Sequence, residues 1–355
     1  MRDLDNPENL EEFDKSDMLK LLMGFPQQYQ DAHRLAEKLA LPEAFGQAKN
    51  IVISGMGGSA IGGDLLRSLF SRSCPVPIIV NRNYSIPEFV SADTLFIAAS
   101  YSGNTEETLA AFEAALGKKA KIISISSGGR LEDYSKDVGV PHFSIPVRGI
   151  QPRCAFGYLF IPMVLSLSAL GFISDQTSEI EEAVTLLSRT AQSLSPSTPI
   201  GDNQAKKIAH AVYNRLPVIY ASQNYFDVVA MRWKGQFNEN GKMMAFYNVI
   251  PEMNHNEIVG WGIPKDVTGR CVVIMLSDDA DFHKINRRIS ITKALIAEEG
   301  PQVITVQPRG RSPLAKLLYL IYVGDLASYY LAILNGVDPT PIERISLFKS
   351  RLAGE

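Results

Sequence analysis

Ser100, Ser102 and Thr105 bring three hydroxyls together around Gly103 and Asn104. The apolar run Thr94–Ala99 ahead of them reads as a buried strand. Thr105–Leu116 behind them has the apolar spacing and alanine content of a helix. The first amides of such a helix lack partners within it, so hydroxyl donors beside them suit a phosphate dianion. A lone Ser102 or Asn104 would be explained more simply as a helix cap. The density of small polar residues favours an anion site instead.

A second dense stretch runs from Trp233 through Glu239 to Lys242, and continues past Pro251 through Glu252, His255 and Glu257. A single glutamate is most often a solvated charge and a loop histidine a satisfied one. Here Glu239 sits among polar amides, while Glu252, His255 and Glu257 crowd one loop; a Glu and a His close in sequence, among asparagines able to orient them, suit proton transfer. The five histidines show no metal-ligand spacing, so acid–base chemistry is expected without a metal or other cofactor. Arg153 stands just ahead of a long apolar stretch, where an arginine tends to be paired or to face a ligand. Lys349, near the C-terminus, receives no role from its surroundings alone.

Gly57, Gly58 and Ser59 belong to a glycine turn, Gly55–Asp64, that follows the strand-like run Lys49–Ser54. The turn satisfies a loose dinucleotide fingerprint. That fingerprint wants an acidic residue at the end of the next strand to hold a ribose. Asn81-Arg82-Asn83 stands there, and a nicotinamide cofactor would leave the hydroxyl loop without a purpose, so that reading is set aside.

These residues need elements to hold them. Helical spacing covers 15–48. A helix follows from Ala60 to about Phe70, and strands are expected over Val76–Asn81, Leu95–Ala99 and Lys121–Ser126. Alternating strands and helices describe a doubly wound parallel α/β sheet, with ligands at the carboxyl ends of the strands. The pattern then recurs: Leu216–Ala221, Cys271–Ser277 and Gly300–Gly310 repeat the order of the first half, and long apolar helices, 155–171 and 314–334, close the copies. Leu194–Gly201, rich in Pro and Ser, is the expected linker, giving domains 1–194 and 202–355. The second copy carries Asp278, Asp279 and Asp281 where the first has its hydroxyls, so the anion belongs to the first half.

Length and composition set the outer limits. A chain of 355 residues is long for one core. A net charge of -3 gives no reason to expect nucleic acid or an acidic membrane as partner. Cys74, Cys154 and Cys271 fit neither a disulfide framework nor a zinc motif, which points to a reducing, cytoplasmic compartment. No signal-like apolar core opens the chain. Ala155–Ile173 is uncharged over 19 residues, but Gly157, Pro162 and its serines favour a buried or intersubunit helix over a membrane span.

Together, Gly55–Asp64, Ser100–Thr108, Pro152-Arg153, Asn238-Glu239-Asn240, Asn254–Glu257 and Lys349 make the chain resemble the sugar isomerase (SIS) domain superfamily. Within it the resemblance is to the bifunctional phosphoglucose/phosphomannose isomerases. It implies two tandem SIS domains and interconversion of glucose 6-phosphate and mannose 6-phosphate with fructose 6-phosphate. Ser100, Ser102 and Thr105 would hold the phosphate, with Gly57, Gly58 and Ser59 beside the sugar. Glu239 would be the base, Arg153 would stabilise the enediolate, and His255 and Lys349 would open the ring. The family implies a homodimer with shared active sites, to which either subunit could supply His255. Two rivals share the fold. An amidotransferase would need a glutaminase domain with an N-terminal cysteine, where this chain opens Met1-Arg2. A non-catalytic sugar-phosphate sensor would be expected to carry a DNA-binding element.

Overall fold

The computed structural model describes residues 2–146, 149–352 and 354. Three helices open the chain: α1 (Pro7–Phe13), α2 (Met18–Met23) and α3 (Phe25–Ala36). The helical pattern expected over 15–48 is therefore interrupted. Pro26 sits in the first turn of α3, where its missing N–H costs nothing, but the same lack prevents α2 from running on through it.

The first sheet is built from β1 (Asn50–Ser54), α4 (Gly58–Leu69), β2 (Ile78–Asn81), β3 (Thr94–Ala99), α5 (Glu106–Gly117), β4 (Lys121–Ser126), α6 (Gly129–Asp137) and β5 (His142–Ser144). Its strands lie in the order β2-β1-β3-β4-β5, all parallel. β3 is buried at every residue, the expected fate of a central parallel strand covered by helices on both faces. Phe96, Leu109, Phe112 and Leu131 join in one core beside it. Two helices follow, α7 (Phe156–Ala169) and α8 (Thr177–Ser193).

The second sheet takes α9 (Gln204–Val212), β6 (Leu216–Ser222), α10 (Asp227–Glu239), β7 (Phe246–Ile250), α11 (Lys265–Thr268), β8 (Cys271–Leu276), α12 (His283–Glu298), β9 (Gln302–Val306), α13 (Pro313–Asn335) and α14 (Glu343–Leu352). Its order is β7-β6-β8-β9, again all parallel. β7, β6, β8 and β9 thus repeat the positions of β2, β1, β3 and β4. The repeat read from strand order and spacing holds at the level of topology. β7 itself escaped that reading, because Phe246-Tyr-Asn-Val-Ile250 mixes exposed aromatics with a polar residue and lies at the sheet's edge.

By packing, the chain forms two compact units. One contains Gly24–Leu186 and Gly310–Ala315; the other contains residues up to Met23, Leu187–Arg309 and the chain from Lys316 on. The sequence reading placed residues 1–194 in one domain and 202–355 in another, whereas residues up to Met23 pack with the second sheet. The anchor is visible in side chains. The Lys206 ammonium, fully buried, donates to Asp5 at 2.8 Å and to the carbonyls of Pro196 and Thr198. Arg2 donates to the Leu334 carbonyl. Among the described residues, α13 alone is long and apolar enough to cross a membrane, and that stretch is wholly buried in the protein. Ala155–Ile173, the segment singled out in the sequence, forms the shorter α7.

Candidate active site

In the first unit the candidate residues come from three loops at the carboxyl ends of the strands. Gly57, Gly58 and Ser59 open α4 after β1. Gly57 has a positive φ of 51°, and a Cβ on Gly58 would press on the backbone of Pro152 and Arg153. The Ser59 hydroxyl accepts from the Tyr101 amide at 3.2 Å, joining the glycine turn to the loop after β3. The close approach of small residues, not a charge, brings these loops together.

The loop after β3 folds on its own hydroxyls. Ser100 donates to Thr105 at 2.9 Å and accepts from the Gly103 amide at 3.1 Å. Ser102 accepts from the Asn104 amide at 3.2 Å, and the Asn104 side-chain oxygen accepts from the Arg130 amide at 3.1 Å. Thr105 precedes α5 with an extended backbone, and no side chain caps the helix. The simple capping account of Ser102 and Asn104 therefore does not apply. Gly103 has a φ of +69°, and a Cβ there would collide with the Gly128 carbonyl. Only glycine fits.

Arg153 is buried in a short 3₁₀ turn, Pro152–Cys154, and donates to the Gln151 side chain at 3.3 Å. Gln28 of α3 steadies that turn by donating to the Cys154 carbonyl and accepting from the Gly157 amide. Ser59, Ser100, Ser102, Thr105 and Arg153 thus share one end of one unit.

In the second unit Glu239 is the last residue of α10. It is half-buried and lines a groove of about 820 Å³ with Lys234, Asn238, Lys242, Phe246 and Asp338. That volume suits a small molecule. Lys242 donates to the Glu239 carbonyl and, at 3.1 Å, to that of Pro339. Lys234, Lys242 and Asp338 were not singled out as site residues in the sequence, since a lone charge near a helix end reads as solvated until a groove surrounds it.

His255 ends a 3₁₀ turn, Glu252–His255, and is exposed; Lys349 is exposed on α14. Neither lines the groove that holds Glu239. The loop carrying His255 is tied down by Glu257, which accepts from the Tyr220 hydroxyl and, at 2.5 Å, from Asn248. Trp261 donates to the same Tyr220 hydroxyl at 3.1 Å. Burial, then the Glu257 carboxylate, push the Tyr220 phenol far above its ordinary range. It is a fixed donor, not a proton shuttle.

The loop after β8, the counterpart of the hydroxyl loop, holds its own anion. Asp278 accepts from Lys316 at 2.6 Å, Tyr225 at 2.7 Å and the Ala280 amide at 3.0 Å. Burial opposes this carboxylate, but those donors hold its pKa below the usual value. In the second copy the donors around this loop are taken by an internal carboxylate.

Comparison with known proteins bears on these loops together. Residues 44–132 match the SIS domain family, and residues 201–352 match the bacterial phospho-glucose isomerase C-terminal SIS domain. A bifunctional phosphoglucose/phosphomannose isomerase from Caldicellulosiruptor bescii is 42% identical over 336 residues, covering 95% of this chain and 99% of its own. The chain belongs to that family. A bifunctional phosphoglucose/phosphomannose isomerase from Aquifex aeolicus is 38% identical, covering 86% of this chain and 90% of its own. In fold, a hypothetical protein from Thermus thermophilus superposes with a TM-score of 0.75 at 16% identity, over 96% of this chain and 91% of its own. Family membership and the architecture of two SIS domains agree with the resemblance carried by the motifs.

Proposed function

We propose that this protein interconverts glucose 6-phosphate, and mannose 6-phosphate, with fructose 6-phosphate through a cis-enediolate. The observation that carries the proposal is Glu239, a half-buried carboxylate at a helix end lining a groove of small-molecule size. Family membership supports a sugar-phosphate isomerase.

In the open-chain aldose, Glu239 takes the proton from C2 while the C1 carbonyl oxygen gains negative charge. The electron pair of the broken C–H bond becomes the C1–C2 double bond of the enediolate. Arg153 is the cation assigned to that oxyanion. The O2 hydroxyl proton passes to O1, and Glu239 returns its proton to C1, giving the ketose with no net change in atoms or charge. Ser100, Ser102, Thr105 and the free amides of α5 are assigned to the phosphate, with Gly57, Gly58 and Ser59 beside the sugar. Remote binding energy then orients a flexible chain. A planar enediolate has lost the configuration at C2, so both aldoses lead to one ketose.

His255 and Lys349 are assigned to ring opening in a homodimer. The exposure of His255, and of Val259 and Ile263 near it, supports a site completed by a second subunit. Three scattered cysteines, forming no disulfide among the described residues, support a cytoplasmic protein.

The experiment is Glu239→Gln. Turnover should fall by at least about 10²- to 10⁴-fold, the usual share of a general base, while hexose 6-phosphate still binds by calorimetry. A variant that turns over at the wild-type rate rejects Glu239 as the base.

A further inference from the structure

α10 and α13 are joined along one seam by polar side chains that are buried almost completely. Asp325, fully buried on the apolar α13, accepts from Arg232 at 3.1 and 2.7 Å through its two oxygens, and from Gln236 at 2.8 Å. One level on, Asn240 donates to Ser328 at 2.9 Å, and Ser328 donates to the Asp325 carbonyl at 2.6 Å. At the other end Trp233 donates to the Leu320 carbonyl at 2.8 Å. A Cβ on Gly324 would collide with that indole, so the two backbones lie close there. Beyond the helix, Asn335 holds the Gly241 carbonyl at 2.7 Å.

Stability alone does not account for this seam. A buried ion pair loses in desolvation much of what it gains in attraction, and apolar residues of like volume often serve as well. What apolar packing lacks is a unique register. α13 is apolar on most of its circumference, and a neighbouring helix displaced along it by a turn, 5.4 Å, would still find apolar surface. The bidentate Arg232–Asp325 pair is satisfied in one register only. Arg232 and Gln236 lie four residues apart on one face of α10, and Asn240 follows four residues on as the residue that caps its end. Glu239 lies between the last two of them.

We infer that Asp325 is a positioning residue: with Arg232, Gln236 and the Asn240–Ser328 pair it sets the axial position of α10, and so where Glu239 stands in its groove. The inference rests on Glu239 being the base. Asp325 touches no substrate and acts through Glu239 alone.

The test reads kcat and KM for glucose 6-phosphate in the full-length protein. In Arg232→Met/Asp325→Leu, apolar replacement preserves folding, while kcat falls about 10- to 100-fold, the cost of an ångström of misplacement. KM stays within about twofold. Combining that pair with Glu239→Gln causes no further loss of kcat, since the seam acts only through Glu239. Ser328→Ala, which leaves the ion pair intact, lowers kcat about 3- to 10-fold, the scale of one hydrogen bond. Wild-type kcat in the folded variants overturns the inference, as does an equal loss with and without Glu239. Failure of both Arg232→Met/Asp325→Leu and Ser328→Ala to fold also overturns it, because the seam would then serve folding. Should Glu239→Gln itself turn over normally, it is the assignment of the base that fails. Should Glu239→Gln be inactive while the seam variants are normal, only the positioning role fails.

Discussion

The Ser100 hydroxyl donates to the Thr105 hydroxyl across 2.9 Å, closing the loop between β3 and α5 on itself. Ser100 is buried, whereas Ser102 is exposed. The pair therefore shapes the loop that the proposed function assigns to the phosphate. Thr105→Val should raise KM for hexose 6-phosphate by about 10- to 100-fold, the range for a hydrogen bond to a charged group. The inhibition constant of inorganic phosphate should rise in parallel, with kcat changed less. Steady-state kinetics with phosphate as inhibitor decides it: an unaltered phosphate constant removes Thr105 from the anion site.

Gly103 and Gly57 separate two costs that one substitution usually mixes. Both have positive φ, but a Cβ on Gly57 meets nothing, while on Gly103 it strikes the Gly128 carbonyl. Gly57→Ala should lose about 1–3 kcal/mol, the cost of a backbone at φ 51° and ψ -121° that glycine alone adopts readily. Gly103→Ala should lose more, because the 126–129 turn must also move. Urea midpoints at constant slope measure the difference, and equal losses would contradict the collision.

His142 sets a pH dependence in the first unit. Its ring stands between the hydroxyls of Ser124, at 2.8 Å, and Ser126, at 3.4 Å. Burial lowers its pKa, with Glu132 opposing and Lys136 assisting. A histidine whose folded pKa is depressed supports the fold above the unfolded value, near 6.5, and loses that support as pH falls through it. The unfolding free energy should thus decline on acidification from pH 7, by at most about 1.4 kcal/mol per pH unit for one proton. His142→Gln should flatten that part of the curve. An unchanged slope in the variant would assign the titration elsewhere.

Asp5 should matter despite its place near the end of the chain. The Lys206 side chain lowers its pKa first, burial opposes, and the Ile200 amide assists. A depressed carboxylate contributes above its unfolded value, near 3.8, and the contribution disappears as pH drops below that. Asp5→Asn should cost about 1–2 kcal/mol near neutrality, a charged hydrogen bond discounted for the partly exposed carboxylate. Thermal melts at pH 7 and pH 3 test it, and the variant's deficit should shrink at the lower pH.

What could be read from the residues in order was local. Strand-forming runs, the Gly57 and Gly103 turns, the hydroxyl loop and the internal repeat depend on near neighbours and on periodicity, which a linear chain displays. Glu239 was legible as a motif beside Asn238 and Asn240. Its position at a helix end, and the groove around it, were not. The edge strand β7, the grouping of residues up to Met23 with the second sheet, the Asp278–Lys316 pair and the Arg232–Asp325 seam were decided only on folding. Each joins residues tens to hundreds of positions apart or depends on a sheet edge. A buried charge finds its partner by shape and desolvation, and neither leaves a period in the sequence.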